Sequence, residues 1–66
     1  MATLKEDSTG PDVTKLQQRL KDLGFYSGAV DGHFGASTQA ALIAFQKSKG
    51  LPDDGIAGPQ TLSALQ

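Results

Sequence analysis

The sequence predicts a small all-α domain, a three-helix bundle with glycine-rich ordered loops. Three observations predict it. Apolar residues recur at helical spacing in three separate segments, the stripe that an amphipathic helix buries. Glycine and proline punctuate those segments at Gly10-Pro11, Gly24, Gly35, Gly50 and Gly58-Pro59, where helices start and stop. A loop-helix pattern also occurs twice in succession, the mark of a reused structural unit.

The first helix is predicted over residues 11–23. Val13, Leu16, Leu20 and Leu23 form its stripe, and Thr14, Lys15, Gln17, Gln18, Arg19, Lys21 and Asp22 form its solvated face. Pro11 suits the first helical position, where its missing N–H has no partner to lose. Gly24 reads as a left-handed stop, with Phe25 folding back on Leu20 in a Schellman ending. The second helix is predicted over 36–49, with Thr38, Ala41, Leu42 and Phe45 inward. Gly50 ends it, Leu51 closes on Phe45, and Pro52 prevents continuation. The third helix, 59–65, places Leu62 and Leu65 inward. The stretches 26–35 and 52–58 are rich in Gly and Asp, yet each carries buried-type anchors, Val30 and Phe34 in one and Ile56 in the other. They therefore read as ordered loops.

The repeat aligns residues 31–42 with residues 54–65. The shared pattern D-G-x-x-G-x-x-T-x-x-A-L is offset by 23 positions, with six identities in a twelve-residue window. Asp-Gly makes a tight turn: the carboxylate bonds downstream N–H groups and Gly supplies positive φ. The second Gly stands at the helix N-cap, Thr falls in the first turn, and Ala and Leu open the buried stripe. A fainter third copy begins at Gly10, with Val13 and Leu16 in the Thr and Ala places and no Asp-Gly before it.

Length and composition bound the rest. The 66 residues allow one domain, and no cysteine is available to staple it. A domain this small buries only about 60% of its unfolded surface, so patterning must supply the core. The net charge is −1 and the charges are interspersed, which gives no footprint for nucleic acid or an anionic membrane. No apolar run reaches transmembrane length. The first eight residues lack the apolar stretch of a signal peptide. Two alternatives follow: cytoplasmic accumulation before release, or a leader trimmed from this chain.

One ordered set of residues carries a resemblance. It comprises Gly10, Val13, Leu16-Gln17, Leu20, Gly24-Phe25-Tyr26, Gly28, Val30-Asp31-Gly32, Phe34-Gly35, Thr38, Phe45-Gln46, Gly50-Leu51, Asp54-Gly55-Ile56, Gly58-Pro59 and Thr61. This set resembles the type 1 peptidoglycan-binding domain of bacterial and phage cell-wall hydrolases. It spans nearly the whole chain, so 1–66 is expected to be one such domain with its core over 4–65. The chain departs from the family at Asp7, where Gly is often found. The resemblance implies a three-helix, non-catalytic module that binds peptidoglycan and targets a covalently linked catalytic domain to the wall. That partner would be an amidase, muramidase, transglycosylase or peptidase. From Met1 the module is expected at the start of its parent, an arrangement that, without a signal peptide, looks like that of some modular phage endolysins. The expected partners are peptidoglycan and the linked enzyme, with no nucleic acid, membrane, metal or cofactor, and the chain is expected to be a monomer.

Candidate chemistry is sparse. His33 is the one histidine, too few nitrogen ligands for a zinc site without cysteine. Ser8, Ser27, Ser37, Ser48 and Ser63 lack the context of a nucleophile turn. Asp31 and Asp54 invite comparison with a glycosidase pair, but the repeat gives both the same turn role; direct ligand contact is the alternative. For binding, Tyr26 is the candidate sugar platform, if its ring faces outward beside the core-type Phe25. Gly35 and Gly58, at helix starts, present N–H groups that suit a stem-peptide carboxylate. Ser37, Gln39, Gln46, Gln60 and Thr61 supply neutral hydrogen-bonding groups. Lys15, Arg19 and Lys21 read as solubilising charge. The competing functional reading is a docking unit or pro-segment of the same fold that packs against its own enzyme.

Overall fold

A computed structural model describes residues 3–65, which form three helices: α1 Pro11–Asp22, α2 Ala36–Ser48 and α3 Pro59–Leu65. Each lies within one residue of its predicted bounds. α1 packs against both α2 and α3. The core joins Val13, Leu16 and Leu20 of α1 to Ala41, Leu42 and Phe45 of α2, with Leu65 of α3, Phe34 and Ala57 from the loops, and Leu4.

Both long helices close as the glycines foretell. After α1, Gly24 N–H donates to the Lys21 carbonyl and Phe25 N–H to the Leu20 carbonyl. After α2, Gly50 N–H donates to Lys47 and Leu51 N–H to Gln46. These are paired Schellman endings, made possible by φ of 87° at Gly24 and 69° at Gly50. Leu23 departs from expectation: it caps α1 and is 41% exposed, because the chain turns away before its stripe position meets the core.

The two Asp-Gly turns are built alike, and each is filled by a glutamine side chain. The two N–H groups of Gln17 Nε2 are shared among Asp31 Oδ1 (3.1 Å), the His33 carbonyl (2.9 Å) and Thr38 Oγ1 (2.9 Å), and its Oε1 accepts from Gly32 N–H (2.9 Å). Those of Gln46 Nε2 are likewise shared among Asp54 Oδ1 (3.2 Å), the Ile56 carbonyl (2.9 Å) and Thr61 Oγ1 (3.1 Å), and its Oε1 accepts from Gly55 N–H (3.1 Å). Both glutamines are 0% exposed. Gln17 therefore leaves the solvated face assigned to it and joins the buried one. A buried amide is stable only when its donors and acceptors are met, and one side chain here satisfies an entire turn. Each Asp carboxylate also accepts the N–H two residues on, from His33 and Ile56.

A strap before α1 ties the two turns together. Leu4 pairs antiparallel with Ala57, and Thr9 with His33. Asp7 N–H donates to the Phe34 carbonyl and Phe34 N–H to that of Ser8. Ala57 and Phe34 hold equivalent places in the repeat, so one strap edge reads both copies. Among the described residues, Asp7 is the non-glycine residue with positive φ, 75°, which explains why glycine suits this place. Asp7→Gly is expected to raise stability by up to about 1 kcal/mol, the relief of left-handed strain less the added freedom of the unfolded chain. Chemical denaturation checks it.

Two further expectations change. Ile56, assigned as an anchor, is 39% exposed; its backbone serves the Gln46 cage while its side chain is turned out. Arg19, assigned to solvation, donates its Nε to the Leu65 carbonyl and so ties α1 to the last residue of α3.

Candidate functional site

A groove of about 360 Å³ lies between the loop leaving α1 and the flank of α2. Phe25, Tyr26, Ser27 and Gly28 form one wall; Ser37, Ala40, Ala41 and Ala44 form the other. The Schellman ending throws the loop back over α2. Phe25 then stands edge-on to Phe45, ring centroids 5.6 Å apart at 84°, a favoured aromatic geometry.

Tyr26 does not face outward, the condition on which its use as a sugar platform rested. It is 8% exposed, and its hydroxyl donates to the Ala29 carbonyl at 2.6 Å. Gly28 makes the room: a Cβ there would lie 2.9 Å from Tyr26 Cζ and from its hydroxyl oxygen. Tyr26 is thus a wall of the groove, not a free platform.

The smaller groove, about 230 Å³, is lined by Pro52, Asp54, Ile56, Gly58, Pro59, Gln60 and Thr61. Ligand pockets commonly run from about 300 to 1,000 Å³, so the larger groove fits that range and the smaller does not.

The candidate residues divide accordingly. Tyr26 and Ser37 share the larger groove; Asp54, Gly58, Gln60 and Thr61 share the smaller. Gln46, expected as a group the polymer can reach, is buried with its amide committed to the turn, and Thr61, 4% exposed, accepts from it. Gly35 caps α2 without a side-chain hydrogen bond. Gln39 is half-buried against the second turn, where a Cβ on Gly55 would come within 3.0 Å of it. Asp31 stands beside the first turn, its carboxyl held below its ordinary value by the His33 N–H first and then by the Gln17 amide. A depressed carboxyl strengthens its turn at neutral pH and loses that contribution as acid protonates it. Sequence reasoning missed Gly28, Ala40 and Ala44 as groove residues. The signal was present in Ser37, Ala40 and Ala44, which recur at helical spacing outside the apolar stripe of α2. Among the described residues, no group of three or more His, Asp or Glu could hold a metal ion. Among the described residues, no helix is long and apolar enough to cross a membrane.

The chain resembles parts of much larger wall enzymes. It is 59% identical over 56 residues to the N-acetylmuramoyl-L-alanine amidase CwlM of Mycobacterium tuberculosis, covering 85% of this chain and 14% of that protein. It is 50% identical over 62 residues to a spore cortex-lytic enzyme of Bacillus cereus, covering 94% of this chain and 24% of that one. The fold superposes on the crystal structure of the SleB N-terminal domain with a TM-score of 0.96 and 48% identity, over 97% of this chain and 88% of that one. It also matches the Burkholderia AP3 phage endolysin with a TM-score of 0.93 and 42% identity, over 98% of this chain and 25% of that one. Residues 9–65 match the family described as "Putative peptidoglycan binding domain". With the repeat, the glycine endings and the three-helix fold all in register, this chain belongs to the peptidoglycan-binding domain family.

Proposed function

We propose that this chain binds bacterial peptidoglycan and holds a covalently linked cell-wall hydrolase on its substrate. The observation that carries the proposal is the family match over residues 9–65. The relatives support the same reading: the chain spans 14% of a protein named as an N-acetylmuramoyl-L-alanine amidase and 24% of one named as a spore cortex-lytic enzyme. In this reading residues 1–66 form one module that contributes binding and no chemistry, as a monomer acting at the cell wall. Tethering raises the local concentration of the enzyme without any new catalytic contact. The larger groove, shaped by Tyr26 and Gly28, is the surface offered to the polymer. The relatives favour wall binding over a docking or pro-segment role.

The test is co-sedimentation of the isolated chain with purified, protein-free sacculi, with cellulose as the control. The chain is expected to pellet with sacculi, with a Kd no tighter than about micromolar, as befits one small and shallow site. A folded chain that stays in solution contradicts the proposal.

A further inference from the structure

We infer that the larger groove recognises the uncharged, N-acetylated sugar units of the wall polymer and not the carboxylate-bearing stem peptides, an inference that rests on the peptidoglycan-binding reading. The chain carries 13 charged side chains, yet none lines this groove. Recognition of a peptide carboxylate ordinarily uses Arg or Lys, whose charge-assisted hydrogen bonds offset the cost of taking the anion out of water. The groove has nothing of that kind. Besides Tyr26, its polar side chains are Ser27 and Ser37, both exposed, whose hydroxyls donate and accept without charge. Those are the partners that sugar hydroxyls and acetamides require. Its other side chains, Phe25, Tyr26, Ala40, Ala41 and Ala44, are aromatic or methyl, which suits the C–H face of a pyranose and the acetamide methyl. Tyr26 Oη is already committed to Ala29, so this ring offers apolar surface. The smaller groove gives a carboxylate no better place, since its charged lining residue is Asp54. The start of α2 beside Ser37 supplies only the partial charge of a helix dipole, weaker than a side-chain cation.

The experiment titrates the 66-residue chain with two soluble probes, β-1,4-linked N-acetylglucosamine oligomers and free stem peptides, alongside co-sedimentation with intact sacculi. The oligomers are expected to bind, with affinity unchanged when salt is raised through the range that screens ion pairs, and the stem peptides are not. Ala44→Arg, on the exposed flank of α2, is expected to weaken oligomer binding at least about tenfold, or about 1.4 kcal/mol, with an unchanged melting temperature. If sacculi bind but the stem peptides alone carry the affinity, or neither probe binds, the inference is overturned and the wall-binding reading stands. If the oligomers bind and Ala44→Arg has no effect, the groove is the wrong site. If sacculi do not bind at all, the reading beneath the inference fails with it.

Discussion

Gln46→Ala is expected to remove a large share of the domain's stability. The side chain is fully buried and bonds four groups: the Asp54 carboxylate, the Ile56 carbonyl, the Thr61 hydroxyl and the Gly55 N–H. Truncation takes this partner from the buried Gly55 N–H and Thr61 hydroxyl and opens a cavity beneath the turn, while Asp54 keeps the Ile56 N–H and the Ile56 carbonyl keeps the Gly58 N–H. Each buried group left without a partner costs about 1–3 kcal/mol, and cavity formation adds to that. A net loss of about 3–5 kcal/mol is the expected result, against a total stability of about 3–10 kcal/mol for a domain of this length. Circular dichroism with urea measures it. The same holds for Gln17→Ala, whose four partners match one for one. Loss of wall binding in either variant would thus report loss of the fold. A loss of less than about 1 kcal/mol would mean the cages add little beyond solvent hydrogen bonding.

A chain trimmed to begin at Thr9, where the family match begins, is expected to be much less stable than the full chain. Leu4 lies outside that match, yet it is 5% exposed and belongs to the core. Its N–H and carbonyl pair with Ala57 at 3.1 and 2.7 Å, and the strap also holds Phe34 through Asp7 and Ser8, both at 2.9 Å. Leu4→Ala alone is expected to cost about 2–4 kcal/mol, the range for truncating a buried leucine. Trimming removes the pairing as well and exposes Ala57 and Phe34, each 0% exposed in the intact fold. Thermal melts of the three chains are expected to rank full, then Leu4→Ala, then trimmed. Equal melting temperatures would show that the strap is ornamental.

Much of this was legible in the sequence, and the reasons are local. Helix bounds followed from glycine and proline because those residues act through backbone geometry alone. The Asp-Gly turns followed from the repeat, and Gly32 and Gly55 do adopt φ of 76° and 73°. What escaped depends on contacts between distant residues. Gln17 and Gln46 stand on the buried side of their helices, each four residues after Val13 or Leu42. A polar residue on an apolar stripe was the available signal, but its meaning needs the turns at 31 and 54, which only the tertiary fold brings near. Tyr26 was ambiguous because its direction depends on the missing Cβ of Gly28. The strap was invisible because residues 3–10 have no periodicity; they are held by backbone pairing, which side-chain patterns do not encode. Of the candidate site, Tyr26 and Ser37 came together in the larger groove, while Gln46 and Thr61 proved to be occupied in holding the turn.

Residue-resolved NMR of the isolated chain, titrated with disaccharide–peptide fragments released from sacculi by a muramidase, tests most directly whether this folded module carries a wall-binding groove. Amide shifts that saturate and cluster at Ser27, Gly28, Ser37, Ala40 and Ala44, with the Gly55–Ile56 turn unmoved, are the predicted result. Shifts confined to another face, or a spectrum of a folded chain that the fragments leave unchanged, would contradict it.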